Sequence, residues 1–261
     1  MNREETLNKI QTKREFSRIP ETDIWRSYKK FERRECSDEE KIRLTRDLLR
    51  KVYSAFASGK LLNIKDKNED WILRKHLSTR ERTNYYQELY IKLLGDLKDK
   101  NCSVIDLGSG INGFSYKFFS NEIKVAYTAV EAVGQLVDLM NFYFEKNNLN
   151  ARAIHESLFN LEEIIRLIRK CEKPRMVFLF KVIDSLEMVE SDYSKRFLRE
   201  ITPLCDKIVV SFATRSMIKQ NKFKVNRKWI IDFIKNNFEL LEDFELGNER
   251  YVIFRTRDGK V

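Results

Sequence analysis

A chain of 261 residues with 42% hydrophobic side chains can bury one large core or two modest ones, and its 8 Gly, 3 Pro and 4 Cys exclude a collagen-like repeat, a disulfide scaffold and a low-complexity polymer. The net charge of +10 is concentrated at the start: residues 1–80 hold 21 Lys and Arg against 14 Asp and Glu, while the remainder holds 29 against 26. A basic N-terminal segment points to a polyanionic partner, and composition alone leaves a merely solvated helical surface equally open.

No run of 18 apolar residues offers a membrane span. The opening MNREETLNKIQTKREF is charged and lacks the apolar core of a secretory signal. Cys36, Cys102, Cys171 and Cys205 are scattered, with only His76 and His155 to help them hold a metal. The expectation is a cytoplasmic, metal-free chain with free thiols, acting as a monomer away from membranes.

Residues 1–75 read as a helical domain. In KIRLTRDLLRKVYSAFASGKLL the apolar positions Ile42, Leu44, Leu48, Leu49, Val52, Tyr53 and Phe56 fall near helical spacing. Ser37, followed by Asp38, Glu39 and Glu40, is a helix start, and Gly59 is the expected stop. From residue 102 the pattern changes. Strand-length apolar runs at 102–107, 124–131, 151–155, 175–181 and 207–213 alternate with helical stretches such as 133–148 and 193–201. That alternation predicts a mostly parallel sheet covered by helices on both faces. The tail adds two more strands, 238–246 and 250–257, around Gly247. The predicted fold class is therefore α/β: a Rossmann-like sheet with an antiparallel C-terminal hairpin over residues 76–261, preceded by the helical domain. This is the layout of S-adenosylmethionine-dependent methyltransferases.

SVIDLGSGINGFS, residues 103–115, places Gly108, Gly110 and Gly113 in the spacing G-x-G-x-x-G at the end of the first predicted strand. Such a turn, leading into a helix N-terminus, serves dinucleotides and S-adenosylmethionine alike. Glu131, 21 positions after Gly110 at the end of the second strand, suits ribose hydroxyls in either case. Asp106 separates the two readings. A carboxylate beside the turn repels a pyrophosphate and attracts the ammonium and sulfonium of S-adenosylmethionine. No Gly-Lys-Ser/Thr follows, so the turn is not a Walker loop.

Three stretches together resemble the 16S ribosomal RNA guanine-N7 methyltransferases known from aminoglycoside resistance. HLSTRER, residues 76–82, is similar to that family's His-Ala-Ser-Thr-x-Glu-Arg segment. GINGFS, residues 110–115, is similar to its Gly-Leu-Asn-Pro turn. LFKVIDSLE (179–187) and VSFATRS (210–216) look like its Phe-Lys-Leu-Leu and Ser-Phe-Pro-Thr-Arg-Ser segments. The likeness runs from about residue 70 to the C-terminus. Gly113 stands where the family has proline, Glu131 replaces its more usual aspartate, and the loop after Ser216 is more basic.

The resemblance implies roles for particular residues. Arg82 pairs with the methionine carboxylate of the cofactor, His76 stacks near the pocket, and Glu156 meets the adenine amino group. With Asp106, Gly108, Ser109, Gly110, Glu131, Ala132, Ser157 and Leu158, these form the expected S-adenosylmethionine site. The implied substrate is ribosomal RNA within the 30S subunit. A housekeeping enzyme on rRNA fits this pattern as well as a resistance factor does.

The acceptor atom is further narrowed by what is missing. The place after the fourth strand holds FKVIDS rather than the Asn/Asp-Pro-Pro-aromatic motif of exocyclic-amine methylation, and no cysteine sits in the Pro-Cys context of base-carbon methylation. Lys181 alone is thin support for 2′-O chemistry. Guanine N7 has a lone pair and no proton to lose, so catalysis reduces to positioning. Phe180 and Lys181 are the candidates for framing a flipped base, with no acid or base required. The run 214–229 interleaves aromatic residues with basic ones and supplies RNA contacts at Arg215, Lys219, Lys222 and Lys224. Competing readings are another RNA or base position, such as adenine N1 or a tRNA, and a non-catalytic RNA-binding or assembly protein. A nicotinamide oxidoreductase is more remote.

Overall fold

The computed structural model describes residues 1–53, 68–75, 77–97, 100–119, 122–214 and 227–257. Seven strands form one sheet: β1 (Asn101–Leu107), β2 (Lys124–Glu131), β3 (Ala151–His155), β4 (Arg175–Phe180), β5 (Lys207–Ala213), β6 (Glu239–Leu246) and β7 (Glu249–Arg255). Their order is β3-β2-β1-β4-β5-β7-β6, parallel from β1 to β5, with β7 antiparallel to both β5 and β6. The strands begin and end within two residues of the positions read from the sequence.

The central strands are near-continuous apolar runs because helices cover both of their faces. Val104, Ile105 and Leu107 of β1 and Val177, Phe178 and Leu179 of β4 are fully buried. The edge strand β6 keeps Glu242, Asp243 and Glu245 exposed. Because the chain runs outward from β1 to β2 and β3, then crosses back to β4, a crevice opens above the C-terminal ends of β1 and β4. Open parallel sheets hold ligands at such a reversal.

The helices, in chain order, are α1 (Arg3–Gln11), α2 (Glu21–Glu32), α3 (Asp38–Val52), α4 (Glu69–Lys75), α5 (Leu77–Arg82), α6 (Tyr86–Leu94), α7 (Gly134–Lys146), α8 (Leu161–Lys170), α9 (Ile183–Val189), α10 (Tyr193–Ile201) and α11 (Lys228–Asn237). Ser37 caps α3 as its sequence indicates, accepting from the Glu40 amide at 3.2 Å. Asn2 and Glu5 form a reciprocal capping box on α1. Phe56 and the expected stop at Gly59 lie outside the described residues. The turn after Gly110 differs from expectation: Asn112–Phe118 winds as a 3-10 helix, not an α-helix. Its backbone bonds run Asn112 to Ser109 and Phe114 to Ile111, three residues back.

The N-terminal helices dock directly on the sheet layer. The Arg18 guanidinium pairs with Asp138 of α7, and the Arg18 carbonyl accepts from the Gly134 amide at 3.1 Å. Arg26 of α2 pairs with Glu190 after α9. Buried side chains run in one cluster from Leu7 and Ile10 through Phe16 and Ile24 into the sheet core. All four cysteines are free, Cys102 and Cys171 buried and Cys36 and Cys205 partly so. Among the described residues no helix is long and apolar enough to cross a membrane.

Candidate active site

An open cleft lies over the C-terminal ends of β1, β2 and β4. Its floor is the glycine turn. Gly108 and Gly110 adopt φ of 69° and 58°, the left-handed region that glycine enters without a Cβ penalty. A Cβ on Gly108 would lie 2.7 Å from Cγ2 of Val182 across the cleft, so the narrow approach needs glycine for space as well as for conformation.

Glu131 ends β2 and faces this turn. One carboxylate oxygen accepts from the Gly110 amide at 2.8 Å and the other from the Val133 amide at 2.9 Å. Burial pushes its pKa up to about 7, only partly offset by those backbone donors. Each oxygen retains a second lone pair for a ligand donor.

A buried ionic network closes one end of the cleft. Arg82, at the end of α5 and 3% exposed, donates to Glu249 of β7 at 3.2 Å and to the Asn112 side chain at 2.7 Å, with its guanidinium 4.8 Å from the Phe180 ring centre. Lys181 follows β4 at φ 62° and reaches Glu81 at 2.5 Å and Glu249 at 3.2 Å. Glu249, 1% exposed, also accepts from the Ser211 hydroxyl. Burial alone would raise its carboxyl, but Arg82 and Lys181 outweigh burial and hold it below its ordinary value. The opposite end carries Asp23 of α2 together with Val52, the last residue of α3, and Tyr53, which caps it, beside Leu158 and Phe159. The cleft thus has Arg82 and Lys181, charge-balanced by Glu81 and Glu249, at the β4/β7 end, and an acidic and apolar lining at the β3 end.

Residues 39–229, well over half of the chain, match the profile of the ribosomal RNA methyltransferase (FmrO) family. The chain belongs to that family. Other comparisons run in the same direction. A 16S rRNA (guanine(1405)-N(7))-methyltransferase of Proteus mirabilis is 25% identical over 193 residues, covering 70% of this FmrO-family chain and 63% of that protein. The chain therefore spans less than two thirds of the length of that relative. The fold is shared with the 16S rRNA methylase RmtB, with TM-score 0.76 and 16% identity over 98% of this chain and 99% of the other. It is also shared with 16S rRNA methyltransferase RmtF in complex with S-adenosyl-L-homocysteine, with TM-score 0.78 and 17% identity over 98% and 100%.

Most residues singled out from the sequence converge on the cleft. Arg82, Gly108, Ser109 and Gly110 line it, as do Glu131, Ala132 and Leu158, with Phe180 and Lys181 at the β4 end. Three lie just outside the lining. Asp106 is buried beneath the turn, where one oxygen accepts from Asn112 at 2.7 Å and Tyr127 at 2.6 Å and the other has no partner. Burial raises its pKa against those two bonds. Glu156 turns back to accept from the Ser157 amide at 2.7 Å and from Asn160 at 3.4 Å. Ser157 is buried, and its hydroxyl donates to Asp23. His76, Arg215, Lys219, Lys222 and Lys224 lie outside the described residues.

Sequence reasoning missed Asp23, Tyr53, Asn112, Glu81 and Glu249. Asn112 and Glu81 lie inside quoted motifs, so a signal was present. Asn112 links Asp106 to Arg82, and Glu81 precedes Arg82 and holds Lys181.

Proposed function

We propose that this chain transfers the methyl group of S-adenosylmethionine to N7 of a guanine in small-subunit ribosomal RNA, acting on the 30S particle in the cytoplasm. The observation that carries the reading is the polarity of the cleft. Arg82 and Lys181 line one end, with their partners Glu81 and Glu249 outside the lining, and present guanidinium and ammonium donors suited to the methionine carboxylate. Glu131 at mid-cleft suits ribose hydroxyls, and the apolar wall of Ala132, Leu158 and Phe159 suits an adenine face. The glycine turn allows close backbone approach, and the unpartnered Asp106 oxygen beneath it adds negative potential toward a cationic ligand. The residues present therefore fit the cofactor.

When bound, the sulfonium supplies an electrophilic methyl group. The protein's part is placement. Arg82 would hold the carboxylate end of the donor and Glu131 its ribose, and Phe180 offers an aromatic ring beside the site where the acceptor enters. Lys181 is engaged by two carboxylates, the setting of an ion pair rather than of a general base. The residues around it thus suit an acceptor that already has a lone pair, as N7 does, and suit poorly one that must lose a proton. The N-terminal helices and the basic segment 215–226 supply the phosphate contacts.

N7 methylation places a fixed positive charge on guanine and weakens its glycosidic bond. RNA from 30S particles treated with enzyme and cofactor, then with borohydride and aniline, is expected to break at one position. Methyl transfer without cleavage rejects N7. Transfer to naked 16S rRNA but not to 30S particles rejects the assembled subunit as substrate.

A further inference from the structure

We infer that Asp23, carried by the N-terminal helix α2, is itself a cofactor-binding residue whose carboxylate accepts a hydrogen bond from the exocyclic amino group of adenine. The inference rests on the S-adenosylmethionine reading above. It makes the N-terminal helices part of the cofactor site as well as a platform for RNA.

Asp23 lines the same cleft as the glycine turn and Glu131, yet it is 1% exposed. Its two oxygens accept from the Ser157 hydroxyl and, at 2.7 Å, from the Tyr53 hydroxyl. A carboxylate has about four acceptor positions, so about two remain after those bonds. Its neighbours in the lining are Leu158 and Phe159, which follow β3, and Ala132, which follows β2. An apolar slot edged by one buried carboxylate is the complement of a flat heteroaromatic ring with an amino group on its rim. The cations at the far end and Glu131 between them set the direction in which such a ligand lies.

The residue that sequence order assigns to this task, Glu156, is engaged with the Ser157 amide and Asn160 and lies outside the lining. Asp23 occupies the place that Glu156 leaves open. The groups facing it are Arg26 on its own helix, Tyr53 at the C-cap of α3, Ser157 and Glu156 after β3, and Glu131 of β2. Burial pushes Asp23 up to about 6, against the two hydroxyl donors and Arg26, so a further donor would find an acceptor in need of one.

The test is calorimetric titration of the full chain with S-adenosylhomocysteine and with S-inosylhomocysteine, in which a carbonyl replaces the amino group. The wild-type protein is expected to prefer the adenosyl compound by at least tenfold. In Asp23→Asn the new amide can donate to the inosine carbonyl, and the preference is expected to fall to within threefold or to invert, while the melting transition stays cooperative. If that variant does not melt cooperatively, Asp23→Ser carries the same comparison, with loss of preference expected. A wild-type protein that binds both compounds equally, or a folded variant that keeps the full preference, overturns the inference and leaves the cofactor reading standing. Wild-type protein that binds neither compound overturns the cofactor reading itself.

Discussion

Replacing Glu249 by Gln is the sharpest test of the ionic network. Glu249 is buried, and it accepts from Arg82 and from Lys181, each at 3.2 Å, and from the Ser211 hydroxyl. Glutamine preserves shape but removes the charge: with its oxygen kept toward Arg82 and Lys181, its NH2 replaces the oxygen that accepts from Ser211. Removing one partner of a buried ion pair costs roughly 3–5 kcal/mol, because the remaining charge stays out of water. Lys181 keeps Glu81, and Arg82 keeps Asn112, so the low end applies, about 3 kcal/mol. In a chain of this size that corresponds to a fall in Tm of about 6–12 °C. Urea unfolding of the ligand-free protein, followed by far-ultraviolet circular dichroism alongside thermal melts, measures it. Raising the salt to about 0.5 M should not abolish the difference, since buried pairs are little screened. A loss below about 1 kcal/mol, or one that vanishes in salt, would refute the argument that Glu249 is what holds two cations at the cleft end.

Further outcomes follow from the same geometry. Glu131→Ala should weaken S-adenosylhomocysteine binding by roughly 1–3 kcal/mol through lost ribose contacts; unchanged affinity in a folded variant removes Glu131 from the site. Gly108→Ala places a Cβ at φ 69° and 2.7 Å from Val182, so calorimetry should show at least a tenfold affinity loss, with about 1–3 kcal/mol of destabilisation in urea. Burial raises Glu131 to about 7 and Asp23 to about 6, and ligand donors prefer the ionised forms. Affinity should therefore weaken as pH falls from about 8 to about 6, with log Kd changing by up to about one per pH unit for each carboxyl. The linked stability has the opposite sense: both folded-state values exceed the unfolded ones, so the ligand-free fold is relatively favoured below about pH 4 and loses that contribution as pH rises through about 6 and 7, which melts across pH would show. RNA affinity should fall steeply with added salt, and a flat profile would show that the basic segments make few phosphate contacts.

The strands, their order of appearance and the terminal hairpin were legible in the sequence because burial in a sheet imposes a local pattern that β1, β4 and β5 obey. The glycine turn and Glu131 were legible because they sit at strand ends at a spacing the fold requires. Arg82 and Lys181 came from motif resemblance, and no periodicity pointed to them. What only the tertiary structure decided is who faces whom. Asp23 reads in sequence as an acid in the first turn of a helix, and Glu249 as a surface acid beside a hairpin turn. Both are buried at the cleft because α2 and β7 are brought there from opposite ends of the chain. Glu156 shows the converse: it follows β3 as the sequence indicates, but its side chain bonds to the backbone of its own turn, a local competition that residue order does not reveal. Local pattern reports whether a residue is buried and in which element. It carries no information about the distant partner across a crossover connection, and the charge, the pKa and the ligand of this cleft all depend on those partners.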